Sequence, residues 1–347
     1  MGGRVIARPR VVPVRHERTH AMEFLLSTGT PVEKFIVMGI AILLFVAVMA
    51  LVLFLTDRPR MPQWITVLAF LGPAALLVVF GLVYPAIVTM INSFQGDSGR
   101  DWVGLSNYAE VFGSPALRVV LLNTLLWVLL VPLVSTAVGL VYAVLVDRTR
   151  FEKLAKTLVF LPMAISMVGA SIIWKFVYDF KPTSQPQTGL ANQLLVWLGF
   201  DSQQFLLTWP WNTFFLIAVM VWIQSGFAMT ILSASIKAIP DDIIEAAKLD
   251  GVTNWQMFRS VTVPSIRPAV VVVVTTIAMA TLKVFDIVFT MTGGNFDTSI
   301  VANEFYTRSF VRAETGIGAT LAVLLFVMVI PIVVYNVRQM KLAEEQR

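Results

Sequence analysis

Ile239-Pro240-Asp241-Asp242-Ile243-Ile244-Glu245-Ala246-Ala247-Lys248-Leu249-Asp250-Gly251-Val252-Thr253-Asn254-Trp255-Gln256-Met257-Phe258-Arg259-Ser260-Val261-Thr262-Val263-Pro264 is a polar, helix-prone insert between two long apolar runs. Pro240 suits a first helical position, and Asp241 and Asp242 put negative charge where the helix dipole favours it. Glu245 through Leu249 are good helix formers. Gly251 can close that helix in a left-handed turn without steric cost. Thr253, with Gln256 three residues on, reads as a capping box opening a second short helix, Asn254 to about Ser260. Pro264 and Pro268 mark the entry to the next apolar run. The stretch predicts a helix, a sharp turn and a second helix outside the apolar phase, with Ile243, Ile244, Leu249, Trp255, Met257 and Phe258 partly on show.

The flanking runs are too long and too apolar for a water-soluble domain. Of 347 residues, 57% are hydrophobic and 14% charged, against about a quarter charged in soluble domains. Mean hydropathy is +0.79. Runs of about 20 apolar residues cross a bilayer as helices, because the backbone must satisfy its own polar groups there. With no cysteine, a disulfide framework and thiolate chemistry are excluded. His16 and His20, the only histidines, sit in an N-terminal tail that offers no apolar scaffold for a metal, so no metal site is expected. The net charge of +5 flanks the spans and reads as topology, not as a nucleic-acid surface.

Working outward, residues 1–34 form a basic tail with Arg4, Arg8, Arg10, Arg15, Arg18 and Lys34. It is too long and lacks a small-residue cleavage site, so no signal peptide is expected. The first span is Phe35 to Leu55, followed by a linker with Arg58 and Arg60. A core at 64–337 then holds spans at about Trp64–Ile91, Val119–Val146, Thr157–Tyr178, Asn212–Ser235, Pro268–Met291 and Ile317–Val337. The opening insert, 236–266, joins the Asn212–Ser235 span to the Pro268–Met291 span. Pro73 and Pro85 are expected to kink the second span. Segments 92–117, 179–211 and 292–316 read as external loops, and 338–347 as a short charged tail. Placing the insert inside also puts Arg148, Arg150, Lys153 and Lys156, Arg58 and Arg60, and Arg338, Lys341 and Arg347 inside, as the positive-inside bias requires. The basic tail at 1–34 conflicts with this, since seven spans leave it outside: either the first helix is an N-out addition, the reading adopted, or the Phe35–Leu55 run does not cross.

Glu245-Ala246-Ala247, Gly251 and Val261-Thr262-Val263-Pro264 resemble the EAA loop of ABC importer permeases, with Val261 and Val263 where isoleucine and leucine are usual. Lys237-Ala238-Ile239-Pro240-Asp241-Asp242 and Phe285-Asp286 before Gly293-Gly294 resemble the carbohydrate members, maltose and alpha-glucoside types in particular. Val103-Gly104-Leu105-Ser106-Asn107-Tyr108 is similar to a run that sugar permeases carry after their first core helix. Asn295-Phe296 departs from the proline many relatives have there. The resemblance implies an all-α integral membrane fold: a six-helix importer permease core plus one extra N-terminal transmembrane helix. It implies a multi-pass protein of the bacterial cytoplasmic (inner) membrane with a cytoplasmic C-terminus. The partners implied are two ATPase subunits, a second homologous permease and an extracytoplasmic solute-binding protein, with the bilayer around them and no nucleic acid.

The chain has no G-x-x-x-x-G-K-[ST] loop. No cofactor is expected in it, ATP and Mg being bound by the partner ATPases, and no catalytic residue. By resemblance, Glu245, Ala246, Ala247, Asp250, Gly251, Trp255 and Pro264 couple to the ATPase. Gln224 and Phe227 fall where maltose-type permeases line a mid-membrane sugar site. Trp222, Thr276, Ala280, Lys283 and Asp286 complete the candidate pathway; Ala280 stands where a polar residue is expected. Aromatic faces and hydrogen-bonding groups suit a sugar that loses water on entry. Lys283 and Asp286, three apart, are expected to share a helix face, where they can pair. Asn123 reads as a helix-to-helix bond, and Trp197, Trp209 and Trp211 as an interfacial belt. Three rivals remain: the same fold carrying glycerol phosphate or an amino acid, an ion-coupled transporter, and a membrane enzyme. Neither a sequence repeat nor a His, Cys or paired-carboxylate cluster favours the last two.

Overall fold

Spanning segments in lipid have no solvent to take their backbone polar groups, and the protein answers with helices throughout. The computed structural model describes residues 31–56, 62–97, 99, 101–147, 149–182 and 184–345. The basic tail at 1–30 with His16 and His20, the linker residues Arg58 and Arg60, and Arg148 lie outside these. The chain divides into two compact units, residues 1–85 and 86–347.

The first unit holds α1 (Pro31–Thr56) and α2 (Gln63–Val78). α1 is apolar around its described circumference and exposed along most of it, as a lipid-facing span must be. Pro73 lies within α2 without interrupting it. The helix then widens into a π turn, Val79–Val83, ahead of α3 (Tyr84–Asn92). Pro85 has no N–H for the carbonyl of Gly81 and would crowd it, so the irregularity expected at Pro85 takes the form of a π turn.

In the second unit α4 (Ser106–Gly113) precedes α5 (Pro115–Val146). α6 (Glu152–Phe160) passes through a 3₁₀ turn, Leu161–Ala164, to α7 (Met167–Val177). α8 (Leu190–Trp197) and α9 (Trp211–Lys237) follow. The insert supplies α10 (Asp241–Leu249), α11 (Asn254–Gln256), a π segment Met257–Thr262, and α12 (Val263–Ser265). Then come α13 (Arg267–Leu282), α14 (Asp286–Met291), α15 (Val301–Tyr306) with a π turn to Val311, and α16 (Thr315–Glu345). α9 packs along α5, and α13 packs against both and against α16. Trp127, Val131, Leu216, Met220, Met229, Leu232 and Ile277 form the core between them. At Gly139 an added Cβ would sit 2.5 Å from Ala228 Cβ and 2.7 Å from Met229 N, so α5 and α9 meet backbone to backbone there.

Among the described residues five helices are long and apolar enough to span alone, and up to seven when each of two bent pairs counts as one span. The fourth span, expected as one run at about Thr157–Tyr178, is bent by 104° between Ala164 and Met167. Pro162 and the extended Ile165 end the first half, and Ser166 caps the second by accepting from Gly169 N at 3.0 Å. The sixth span, expected to run from Pro268 to Met291, stops at Leu282; Lys283, Val284 and Phe285 separate α13 from α14. The three loops expected outside, 92–117, 179–211 and 292–316, each contain a helix (α4, α8, α15). The charged tail after Val337 continues α16 as far as Glu345, with Arg338 and Lys341 inside the helix. The apolar pattern ends at Val337, but the helix needs no apolar face once it has left the bilayer.

Candidate functional site

The hairpin between α9 and α13 is held by its own ends. Pro240 is the cap of α10 with extended backbone, one place earlier than expected, and Asp241 and Asp242 fill the first turn. At the far end Val252 N donates to Ala247 O at 3.4 Å and Gly251 N to Lys248 O at 3.1 Å. These are the paired bonds of a Schellman turn, and Gly251 has φ +74° to make them. Thr253 N donates to Gln256 Oε1 at 2.8 Å, and Gln256 N to Thr253 Oγ1 at 3.3 Å, completing the capping box. The second helix outruns the expected end at Ser260: the π segment carries it through Pro264 to Ser265, where it bends 67° into α13.

Ile244, Val252, Met257 and Phe258 are half-buried, whereas Ile243, Glu245, Ala246, Asp250, Gly251, Trp255 and Pro264 are exposed. Leu249 is 89% exposed and Trp255 66%. None of the residues of α10 to α12 is buried. Trp255 and Phe258 lie with ring centroids 5.6 Å apart. A cavity of about 360 Å³, lined by Asp147, Ile239, Ile244, Lys248 and Phe258 among others, separates the hairpin from the ends of α5 and α9. The arrangement is a capped, apolar-tipped knob that the described residues leave uncovered.

The candidate pathway residues do not converge on one surface. Trp222 lines an apolar cavity of about 610 Å³ with Leu130, Tyr142, Pro162 and Ser225, and meets Trp174 edge-on at 5.6 Å. Gln224 and Phe227, half-buried, are not among its lining residues. Residues two apart on a helix point to nearly opposite flanks, so Trp222 and Gln224 serve different faces of α9. Thr276 and Ala280, four apart and half-buried, share a face of α13, which packs on α9. The expected Lys283–Asp286 pair does not form: the helix ends between them, leaving Lys283 exposed and Asp286 in the first turn of α14. A three-residue spacing brings side chains together only while the helix continues.

Sequence reasoning missed three features. The first is a buried amide hub at the end of the bundle away from the hairpin. Asn123 Nδ2 donates to Asp297 O (2.6 Å) and Ser299 O (3.0 Å), and its Oδ1 accepts from Trp209 Nε1 (3.2 Å) and Thr213 Oγ1 (3.4 Å). Asn212 Nδ2 donates to Phe296 O at 2.7 Å. Asn123 thus holds a loop as well as a helix, and Trp209 is one of its partners, not simply part of an aromatic belt. The loop needs holding, since Gly293, Gly294, Phe296 and Asp297 all have positive φ. The Asn295-Phe296 departure therefore gives a tight left-handed loop. The second feature is a row of buried polar atoms on α5 without a partner among the described residues: Trp127 Nε1, Ser135 Oγ and Thr136 Oγ1. They are unspent hydrogen-bonding capacity inside the bundle. The third is an ionic cluster at the hairpin end, in which Lys156 pairs with Asp147 and Glu152, and Lys237 with Glu152.

Two smaller constellations complete the far end. Asn107 Nδ2 donates to Ser93 O at 3.0 Å and Gln95 O at 2.8 Å, so the glycine-leucine-x-asparagine-tyrosine run closes its own loop. Arg308 donates to Glu304 at 2.7 Å and to Glu314. Burial alone would lower the pKa of Arg308; the bonds to the two carboxylates outweigh it and raise the value, so the guanidinium stays charged.

Residues 135–340, which contain the hairpin, match the family described as the binding-protein-dependent transport system inner membrane component. Over 278 residues, 80% of this chain and 100% of the relative, the sequence is 44% identical to the osmoprotective compounds uptake permease protein GgtC of Synechocystis sp.. Over 270 residues, 78% of this chain and 80% of the relative, it is 44% identical to the alpha-glucoside transport system permease protein AglF of Rhizobium meliloti. The fold matches a chain of a bacterial alginate ABC transporter, solved with an alginate pentasaccharide-bound periplasmic protein, with a TM-score of 0.67 and 24% identity over 77% of this chain and 91% of that one. That likeness speaks for the fold alone. Spans, hairpin and sequence agree: the chain belongs to the family of binding-protein-dependent transport system inner membrane components, the multi-pass permease subunits of ABC importers.

Proposed function

We propose that this permease subunit carries an alpha-glucoside or a related polyhydroxylated solute inward, by alternating access driven by ATP hydrolysis in two partner ATPase subunits. The observation that carries the coupling half is the uncovered knob: Leu249 and Trp255 are exposed on a hairpin stiffened at both turns. Exposed aromatic and aliphatic anchors on a rigid base are what a groove in a partner binds. Glu245, Ala246, Ala247, Asp250, Gly251, Trp255 and Pro264 are the contact set. The names of the two 44% relatives support the solute class. Trp222, Gln224, Phe227, Thr276 and Ala280 carry no formal charge, which suits a neutral polyhydroxylated solute; the charged members of the pathway, Lys283 and Asp286, lie beyond the end of α13. A second permease and a solute-binding protein complete the assembly. The hairpin and the C-terminus are cytoplasmic, and the amide-hub end faces the binding protein.

The test is native mass spectrometry of the tagged chain extracted in mild detergent, with Gly251→Pro alongside, and ligand screening of the co-purified binding protein. Two ATPase copies and a second permease, depleted in the variant, are expected, together with a binding protein selective for glucosides. A lone chain indifferent to the substitution would overturn the coupling role. A binding protein selective for a phosphate ester or an amino acid would overturn the solute class.

A further inference from the structure

The hairpin joins the bundle at two places, the end of α9 and the 67° bend into α13. Its underside is separated from the ends of α5 and α9 by the 360 Å³ cavity, so close apolar packing does not connect it to α5 there. A different set of contacts gathers α5, α6 and α9 beside the hairpin. Asp147, which caps the end of α5, accepts from Ser233 Oγ of α9 at 2.8 Å and pairs with Lys156 of α6. Lys156 also pairs with Glu152 at 2.8 Å and donates to Ser233. Lys237, the last residue of α9, reaches across to Glu152 in the first turn of α6. Only Ala238, Ile239 and Pro240 then separate Lys237 from α10, and Ala238 N and Ile239 N are bonded back to Ala234 O and Ile236 O. Among the described residues the cluster holds two carboxylates and two ammonium groups.

We infer that Asp147, Glu152, Lys156, Ser233 and Lys237 are positioning residues that form an ionic clasp, passing displacement of the coupling hairpin from the end of α9 to α5 and to the bent α6–α7 span. This rests on the coupling role proposed above. The link from hairpin to Lys237 is short and backbone-bonded, so the end of α9 moves with the hairpin. The clasp then obliges α6 to follow, and α6 leads into the 104° bend. Side-chain exposure grades from 8% at Asp147 to 47% at Lys237. The clasp is therefore anchored at α5 and wetter at the hairpin, where a half-solvated pair can exchange partners at little cost.

The experiment measures ATP hydrolysed per solute imported by the complete importer with its binding protein in proteoliposomes. The variants are Lys237→Gln, Lys237→Arg and the charge-neutral double substitution Asp147→Asn with Lys156→Gln. The double variant is expected to raise the ratio about tenfold, within the usual range of coupling between sites. Lys237→Gln is expected to raise it about threefold, the smaller effect that a half-exposed ion pair carries, and Lys237→Arg to restore it. Hydrolysis and import falling together, with the ratio unchanged, would overturn the clasp, because a merely structural role lowers both. Should the double variant fail to assemble, the half-exposed Lys237 pair decides on the same ratio. An unmodified importer that imports without ATP would instead overturn the coupling role itself, and is seen in the unsubstituted arm alone.

Discussion

The two polar clusters at opposite ends of α5 and α9 are built from different chemistry. The far end uses neutral amides: Asn123, Asn212 and Thr213 are completely buried and take loop carbonyls and each other as partners. The hairpin end uses ion pairs that water partly reaches. A buried amide that loses its partners leaves donors and acceptors that nothing else satisfies, at about 1–3 kcal/mol each. At its wetter edge, the Lys237–Glu152 pair, an ion pair that parts is rehydrated, and its net worth is about 1 kcal/mol or less; the Lys156–Asp147 pair, with Asp147 8% exposed, is the firmer part of that cluster. The first end resists rearrangement and the second permits it. A transporter that receives solute at one end and is driven from the other gains from that division.

The sharpest way to break the comparison is Asn123→Leu. It removes two donors to Asp297 and Ser299 and the acceptor for Trp209 and Thr213, and releases a loop with four positive-φ residues. We expect a loss of about 3 kcal/mol or more, read as a fall in thermal midpoint in detergent and as new proteolysis within 292–300. Midpoints within error of the parent would show that this end is no more fixed than the other. Next comes Gly139→Leu at the crossing of α5 and α9, where backbone lies under 3 Å from any Cβ. About 1–3 kcal/mol is expected from forced separation, and because the crossing lies between the two clusters, amide protection should fall at both ends.

Gly251→Val tests the hairpin. Beyond its chain neighbours nothing lies within 4 Å of a Cβ at Gly251, so the left-handed φ of +74° carries the penalty. The cost is about 1–2 kcal/mol, confined to the turn. The thermal midpoint should hold, since none of the residues of α10 to α12 is buried, while ATPase co-purification falls. A midpoint falling as far as in Asn123→Leu would mean that the hairpin is part of the core.

What could be read from the residues follows the range of the interactions. The glycine turn and capping box depend on neighbours within five residues, and Gly251, Thr253 and Gln256 stand where local chemistry puts them. Span positions follow from apolar length, which is equally local. The bends do not: Ile165 and Lys283–Phe285 sit inside apolar runs that hydropathy reads as continuous. Pro162 and Ser166 were available as a stop and a cap for the first; at Lys283 no breaker residue marks the second. The hub was half visible. Asn123 stood out as a lone amide in a span, but its bonds to Asp297 and Ser299 cross more than 170 positions and depend on the fold. The clasp was hidden in plain view: Lys156 counted as a topology charge and Lys237 as the start of the carbohydrate-type run, and only the meeting of α5, α6 and α9 shows their partners.

The mildest test is Thr253→Ala, which removes one half of the capping box and leaves the Schellman turn at Gly251 intact. Losing such a cap costs about 1 kcal/mol. Because α11 is three residues long and leads directly into the π segment, the loss should appear as fraying of 254–262. Amide exchange should quicken there by about fivefold, the rate equivalent of that energy, with the far-end hub unchanged. Trp255 would then reach its partner from a looser base, so ATPase association should weaken less than in Gly251→Val. Fraying that spread into α9 or to the loop at 293–299 would show the two ends to be one cooperative unit, and the division between a fixed end and a movable one would fail.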